Sequence, residues 1–142
     1  MKKLFFIAAA FVATLGATAQ TTQAKTEDVI KLNTEKYDFG KLKVGVPVTY
    51  VFEVKNISDK PVVVENVSAG CGCTIPEQIT EPIMPGKTAP LKVQYNAPGV
   101  MPSFTKEVYL KLAGIDARKT IIITGEVLSA EAYEEYLKTK HK

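Results

Sequence analysis

The 142-residue chain is 46% hydrophobic and 23% charged, with a net charge of +3. This composition excludes an intrinsically disordered chain, and the length excludes two full catalytic domains. The 18 basic and 15 acidic residues nearly balance, which gives no support for nucleic-acid binding, because phosphate contacts need a clustered basic surface. We predict one folded domain that does not bind nucleic acid.

Residues 1–19 have the pattern of a secretory signal peptide. A basic start, Met1-Lys2-Lys3, precedes an apolar run over residues 4–12, and small residues at Ala17 and Ala19 precede the expected cleavage point. The apolar run is shorter than the roughly 18 to 20 residues that span a bilayer. We predict cleavage after Ala19, no membrane span in the mature protein, and export, with the periplasm as the first location and the extracellular medium as the alternative.

After a polar lead over residues 20–28, short apolar runs alternate with turn residues up to residue 128. The clearest run has four apolar residues at a period of two, namely Val48, Tyr50, Phe52 and Val54. Such alternation is typical of a strand with one face in a core. About seven runs of this kind predict an all-β protein, an antiparallel β-sandwich over residues 29–128.

Two segments depart from this alternation. Pro76, Pro82 and Pro85 interrupt the segment after the second cysteine, which predicts a loop there. Residues 129–142 form a charged tail, and Ser129 is a suitable N-cap for a short C-terminal helix through Lys138. We therefore predict that the sandwich is followed by a helical tail.

Cys71 and Cys73 are the two cysteines of the chain. Residues two apart on an extended backbone lie about 6.6 Å apart on one side, so a disulfide requires local bending, which Gly72 makes easier. Four interpretations stay open. The cysteines are small buried side chains, an oxidised pair, a catalytic thiol-exchange pair, or ligands of a soft metal such as Cu(I), with Met84 and Met101 as further ligands.

Conventional catalytic and cofactor-binding patterns are missing from the sequence. His141 is the only histidine, and its place in the tail disfavours a Ser-His-Asp site, a Cys-His site and a four-ligand zinc site. No glycine-rich loop joins a strand to a helix, and no Cys-x-x-Cys-His pattern occurs. We predict a protein that is not an enzyme and has no cofactor and no metal site, apart from the soft-metal alternative at Cys71 and Cys73.

One set of residues carries a resemblance to a known family. In chain order these residues are Phe39-Gly40, Gly45, Phe52, Asn56, Pro61, Cys71-Gly72-Cys73-Thr74, Pro82-Ile83, Pro85-Gly86 and Gly125-Glu126-Val127. Over residues 37–127 the chain resembles the DUF1573 family, a domain of unknown function found in small exported bacterial proteins. The resemblance implies an immunoglobulin-like sandwich and export, and it implies no particular activity.

The first functional hypothesis is an exported, non-enzymatic binding or scaffolding module of the cell envelope, whose partner is an envelope protein or peptide. The predicted loop supplies the candidate contact residues, which are Thr74, Ile75, Pro76, Glu77, Pro82, Ile83 and Met84. The alternative is a thiol-redox or copper-handling periplasmic protein that uses Cys71 and Cys73.

Overall fold

The structure is a computed structural model that describes residues 25–140. The predicted signal peptide lies outside the described residues, as do residues 20–24 of the polar lead and the last two residues of the tail. Within the described part of the chain, no helix is long and apolar enough to cross a membrane.

Residues 25–140 form eight strands and two helices. The strands are β1 (Ile30–Leu32), β2 (Lys36–Lys43), β3 (Val48–Asn56), β4 (Val64–Ala69), β5 (Thr74–Pro76), β6 (Thr88–Tyr95), β7 (Met101–Leu112) and β8 (Arg118–Leu128). The helices are α1 (Thr26–Val29), before β1, and α2 (Ala130–Lys140), after β8.

The strands form two four-stranded sheets that pack as a sandwich. The first sheet has the order β1-β3-β6-β5, and the second has the order β2-β8-β7-β4. This architecture confirms the predicted all-β sandwich with a short C-terminal helix. The edges of the first sheet are therefore β1 and β5, and those of the second are β2 and β4.

Two details differ from the sequence-based prediction. The described residues hold eight strands instead of about seven, because Thr74–Pro76 pairs with β6 and is not part of a loop. In addition, β2 and β8 are parallel, whereas the prediction had antiparallel pairs throughout. A three-residue strand that ends in proline has too few positions to show alternation, and alternation does not reveal the direction of a neighbouring strand.

The core fills the space between the sheets with side chains from alternate strand positions. In β3, Phe52 and Val54 are fully buried whereas Val51 is exposed, as the period of two predicts. The other fully buried apolar side chains of the central strands are Leu91, Val93, Tyr95, Val108, Leu110, Ile121, Ile123 and Val127. Burial of each aliphatic side chain of this kind contributes about 1.5 to 3 kcal/mol.

Asn56 is a fully buried amide at the end of β3 that fixes two loops. Its Nδ2 donates hydrogen bonds to the carbonyl oxygens of Lys60 and Ile83, both at 2.7 Å, and its Oδ1 accepts the backbone N–H of Ser58 at 2.8 Å. Because buried polar groups are costly when unpaired, this amide ties the turn after β3 to the distant segment around Ile83.

Gly125 lies at a point of close approach in β8. A Cβ atom at this position would fall 2.8 Å from the Phe104 ring and 2.9 Å from the carbonyl oxygen of Gly40. The Phe104 ring also stacks on Tyr95, with ring centroids 4.2 Å apart. Gly125 therefore leaves the space that this pair of aromatic rings occupies in the core.

Candidate functional site

The turn between β4 and β5 contains a disulfide between Cys71 and Cys73, whose Cα atoms are 5.3 Å apart. The backbone N–H of Thr74 donates to the carbonyl oxygen of Cys71 at 3.2 Å, which closes the turn. Cys73 packs against the core, and both cysteines are half-buried. The Thr74 hydroxyl lies 3.6 Å from Cys71 Sγ and 4.0 Å from Cys73 Sγ. The disulfide thus lies at the rim of the sandwich.

The stabilisation that this disulfide provides is small by the chain-entropy argument. The bond joins residues with a sequence separation of 2, and closing so short a loop is worth about 1.5 kcal/mol, against about 3 kcal/mol for a 15-residue loop. The disulfide therefore orders the turn locally, and most of the stability of the sandwich comes from its core.

The predicted contact loop divides into buried and exposed residues. Thr74 and Ile83 are both only 3% exposed, so their side chains hold the segment in place and are not available to a partner. Ile75 and Met84 are 49% and 53% exposed. Of the remaining members, Pro76 is half-buried, and Glu77 and Pro82 are exposed.

Residues 77–87, which we call the strap, lie along the free edge of β4. Gln78 Oε1 accepts the backbone N–H of Val67 at 2.8 Å, and Gln78 Nε2 donates to the carbonyl oxygen of Val67 at 2.5 Å. Further along, Ile83 and Val62 exchange both of their backbone hydrogen bonds, at 2.9 and 2.8 Å. The strap is therefore fixed at two points to the segment that contains β4. Sequence reasoning missed Gln78, because a side-chain amide that replaces a backbone partner leaves no periodic signal.

The free edge of β5 lacks available hydrogen-bond donors. Asn96 donates to the carbonyl oxygen of Cys73, and Glu77 donates to that of Lys92, so the backbone of Thr74 and Pro76 faces away from β6. Proline has no N–H group, and the N–H of Thr74 is already bonded within the turn. An added strand would therefore find no donor at this edge.

The free edge of β2 is interrupted in a different way. The Thr34 hydroxyl accepts the N–H of Lys36 at 3.3 Å and donates to its carbonyl oxygen at 2.7 Å. A register shift follows Asp38. The Asp38 carboxylate accepts the N–H of Gly40, whose φ is +68°. The strand also carries Lys36, Lys41 and Lys43. Bulges and lysines of this kind oppose the pairing of exposed edges.

The most buried charged group serves a structural ion pair. Lys119 Nζ lies 2.6 Å from a carboxylate oxygen of Glu35 and 3.4 Å from one of Glu27. The hydrogen bond to Glu35 raises the pKa of Lys119. The pKa of the Glu27 carboxyl is lowered, first by a backbone hydrogen bond and second by its hydrogen bond with Lys119. These contacts tie α1 and the residue before β2 to β8. Within residues 25–140, no cluster of three or more His, Cys, Asp or Glu residues is placed to hold a metal ion.

Several solved structures share this fold. A protein of unknown function from Porphyromonas gingivalis W83 is 19% identical, with a TM-score of 0.60 over 75% of this chain and 51% of its own. The ASH/PapD-like domain 7 of human CEP192 is 9% identical, with a TM-score of 0.60 over 89% of this chain and 99% of its own. WR4, a C. elegans MSP family member, is 11% identical, with a TM-score of 0.51 over 71% of this chain and 99% of its own.

These likenesses concern the fold alone, because the identities are low. They show a β-sandwich fold that is shared with a PapD-like domain. The matched region spans about half of the P. gingivalis chain.

The eight strands coincide with the region that a family profile matches. No curated protein shows significant similarity to the chain. The profile described as "Protein of unknown function (DUF1573)" matches residues 30–127, from the first residue of β1 to within one residue of the end of β8. The chain therefore belongs to the DUF1573 family.

Proposed function

We propose that the protein is an exported, non-enzymatic module that binds a protein or peptide partner in the bacterial cell envelope, with the periplasm as its location. The pattern of residues 1–19 supports export. A sandwich of this kind presents edges and connecting segments to a partner. The most buried charged group among the described residues, Lys119, is used in an ion pair with Glu35.

The carrying observation is that the strap is fixed at two points while apolar side chains on it and just before it stay exposed. Gln78 and Ile83 hold it, while Ile75 just before it and Met84 within it are each about half exposed. A surface that is already ordered loses little conformational entropy on binding. We therefore assign the contact to Ile75, Glu77, Pro82 and Met84, and a positioning role to Thr74 and Ile83.

Photo-crosslinking in cells of the native organism tests this assignment. A photoreactive amino acid replaces Met84, and a matched protein carries it at the exposed Lys138 of α2. We expect a discrete crosslinked product from position 84 alone, and its loss when Ile75→Asp is added. The same product from both positions, or a product that survives Ile75→Asp, would contradict the assigned surface.

Cell fractionation tests the location separately. We expect the protein in the periplasmic extract, with Gln20 as its first residue. Recovery of the full-length chain from the cytoplasm would contradict export without affecting the assignment of the contact surface.

The disulfide favours a second candidate, thiol–disulfide exchange with a dithiol protein. A thiolate of the partner would attack one sulfur and form a mixed disulfide, and the other sulfur would leave as a thiolate that takes a proton from water. The second thiol of the partner would then form its own disulfide, leaving Cys71 and Cys73 reduced. Copper binding would need this reduction first, because thiolates are the metal ligands.

Redox titration distinguishes this candidate from a purely structural disulfide. The folded protein is equilibrated with reduced and oxidised glutathione, and free thiols are counted by alkylation and mass spectrometry. Thiols that appear and disappear reversibly support exchange. A disulfide that stays oxidised until the protein unfolds excludes both the thiol–disulfide exchange hypothesis and the copper-binding hypothesis.

A further inference from the structure

The edge of the first sheet opposite the strap is only partly covered. β1 pairs with just three residues of β3, from Val54 to Asn56, although β3 begins at Val48. Just after β1, Asn33 bonds to the backbone of Glu53. The Asn33 N–H donates to the Glu53 carbonyl oxygen at 3.2 Å, and Asn33 Oδ1 accepts the Glu53 N–H at 2.9 Å. After Asn33 the chain crosses to β2 in the second sheet.

The remaining part of β3 turns unpaired backbone groups to this edge. Because the backbone of Glu53 faces the side of β1, strand alternation directs the N–H and C=O groups of Val51 and Thr49 to the same side. Their other neighbour, β6, lies on the opposite side of β3. In the part of the chain that the structure describes, neither residue has a hydrogen-bond partner on this side. We call the backbone of Thr49 and Val51 the open edge.

The open edge differs from the edges described above. At the edge of β4, Gln78 bonds to Val67, and Ile83 pairs with Val62 just before that strand. The edge of β5 offers no donor, and the edge of β2 is interrupted by Thr34 and a bulge. A row of unpaired N–H and C=O groups is a template for another extended chain. Thr49 and Val51 offer two donors and two acceptors over about 6.6 Å.

An aromatic surface lies beneath the open edge. Tyr50, between the two open residues, points inward and is half-buried. Its ring stacks on Tyr37 of β2 with centroids 3.6 Å apart, and Phe39 meets Tyr37 edge to face at 5.0 Å. An inward-facing side chain on an added strand would contact these rings, so the site favours an apolar residue at that position. On the outer face, Val51 is 45% exposed.

We propose that the open edge binds a short extended segment of a partner protein as an additional strand of the first sheet. The backbone of the segment bonds to Thr49 and Val51, and one apolar side chain packs on Tyr37 and Tyr50. The proposal rests on the proposed function, a partner-binding module, and it names the partner chemistry as an extended peptide with alternating apolar residues. It places this contact on the side of the sandwich opposite the strap.

A synthetic peptide of alternating valine and threonine, with a lysine at each end, serves as the probe. Its binding is followed through the amide signals and the amide hydrogen exchange of the isotopically labelled protein. We expect the exchange of the Thr49 and Val51 amides to slow about tenfold at saturation, because each N–H gains an acceptor. A peptide N-methylated on the bonding edge should bind at least about tenfold more weakly, since it loses backbone donors.

A pair of matched variants locates the site. Val51→Lys places a charge beside the open edge, and Val63→Lys makes the same change at a valine that is 47% exposed elsewhere. We expect Val51→Lys to weaken peptide binding about fivefold and Val63→Lys to leave it unchanged, with thermal melting checking that both variants fold. Equal binding by the N-methylated peptide, or equal effects of the two variants, would overturn the proposal.

Three further outcomes separate this proposal from the alternatives. Protection of Val51 that rises with protein concentration and without peptide would mean that a second copy occupies the edge, which overturns the proposal. If the crosslinked product from Met84 persists in Val51→Lys while the variant binds peptide normally, the open edge is refuted and the proposed function stands. If peptide binding is found but no crosslink forms from Met84, the strap assignment fails and the open edge stands.

Discussion

The two sides of the sandwich differ in how their edge backbone is satisfied. On the side of β4 and β5, which we call the closed side, Gln78, Ile83 and the Cys71 turn occupy edge groups. On the side of β1 and β3, which we call the open side, the residues that bond to the edge of β3 end at Asn33. In the first sheet, the edge at β5 is therefore protected, and the part of β3 beyond β1 is available. The difference teaches that an edge is closed by specific contacts, whether from a side chain such as Gln78 or from backbone such as that of Ile83. An edge that lacks them among the described residues is available for strand pairing.

The largest expected effect comes from the amide that fixes the strap on the closed side. Asn56→Ala removes the bonds to Lys60 and Ile83 and leaves their carbonyl oxygens without this partner. We expect the free energy of unfolding in urea to fall by about 3 kcal/mol. Asn66→Ala, at an exposed asparagine of β4, should change it by less than about 0.5 kcal/mol. Equal losses in the two variants would contradict the role of Asn56.

Removal of the side chain that covers β4 should have the next largest effect. Gln78→Ala deletes two hydrogen bonds to Val67, and we expect the free energy of unfolding to fall by about 2 kcal/mol. Since β4 would then expose its edge, sedimentation should also show self-association. The control is Gln94→Ala, which loses one bond, to Asn96. A Gln78→Ala protein that remains monomeric and fully stable would show that the strap covers β4 without its help.

The disulfide should contribute less than either of these contacts. The double substitution Cys71→Ala and Cys73→Ala removes a very short loop, so we expect a loss of about 1.5 kcal/mol in the free energy of unfolding. Wild-type protein that has been reduced and alkylated should lose a similar amount. A loss above about 4 kcal/mol would mean that the bond organises more than its own turn.

The smallest expected effect is a gain in stability at the junction of the two sheets. The hydroxyl of Tyr95 is buried and has no hydrogen-bond partner among residues 25–140, so Tyr95→Phe should raise the free energy of unfolding by about 1 kcal/mol. Burial raises the pKa of Tyr95, because the folded protein disfavours the ionised phenolate. Titration of Tyr95 therefore leaves stability unchanged below the unfolded pKa of about 10 and lowers it as the pH rises further. Alkaline unfolding of Tyr95→Phe should therefore begin at higher pH than that of the wild type. A loss of stability at neutral pH would contradict the unpaired hydroxyl.

The fold was largely predictable from local patterns, whereas the site was only partly so. The alternation from Val48 to Val54 identified β3 and the face that it buries. The covering contacts join residues far apart in sequence, as between Gln78 and Val67, and no local pattern records them. The sequence predicts one loop for the candidate contact residues, but burial of Thr74 and Ile83 separates positioning residues from exposed ones. The open edge could not be predicted from the sequence, because it depends on where the chain leaves the first sheet after β1.

Native-state amide hydrogen exchange, measured on the protein without a partner, tests the contrast between the two sides most directly. The N–H of Val67 on the closed side is bonded to Gln78, whereas those of Thr49 and Val51 face an edge that no residue from 25 to 140 covers. We expect strong protection of Val67 and of Tyr50, which pairs toward β6, and nearly unprotected exchange at Thr49 and Val51. Protection of Val51 equal to that of Val67 in the monomer would contradict the account.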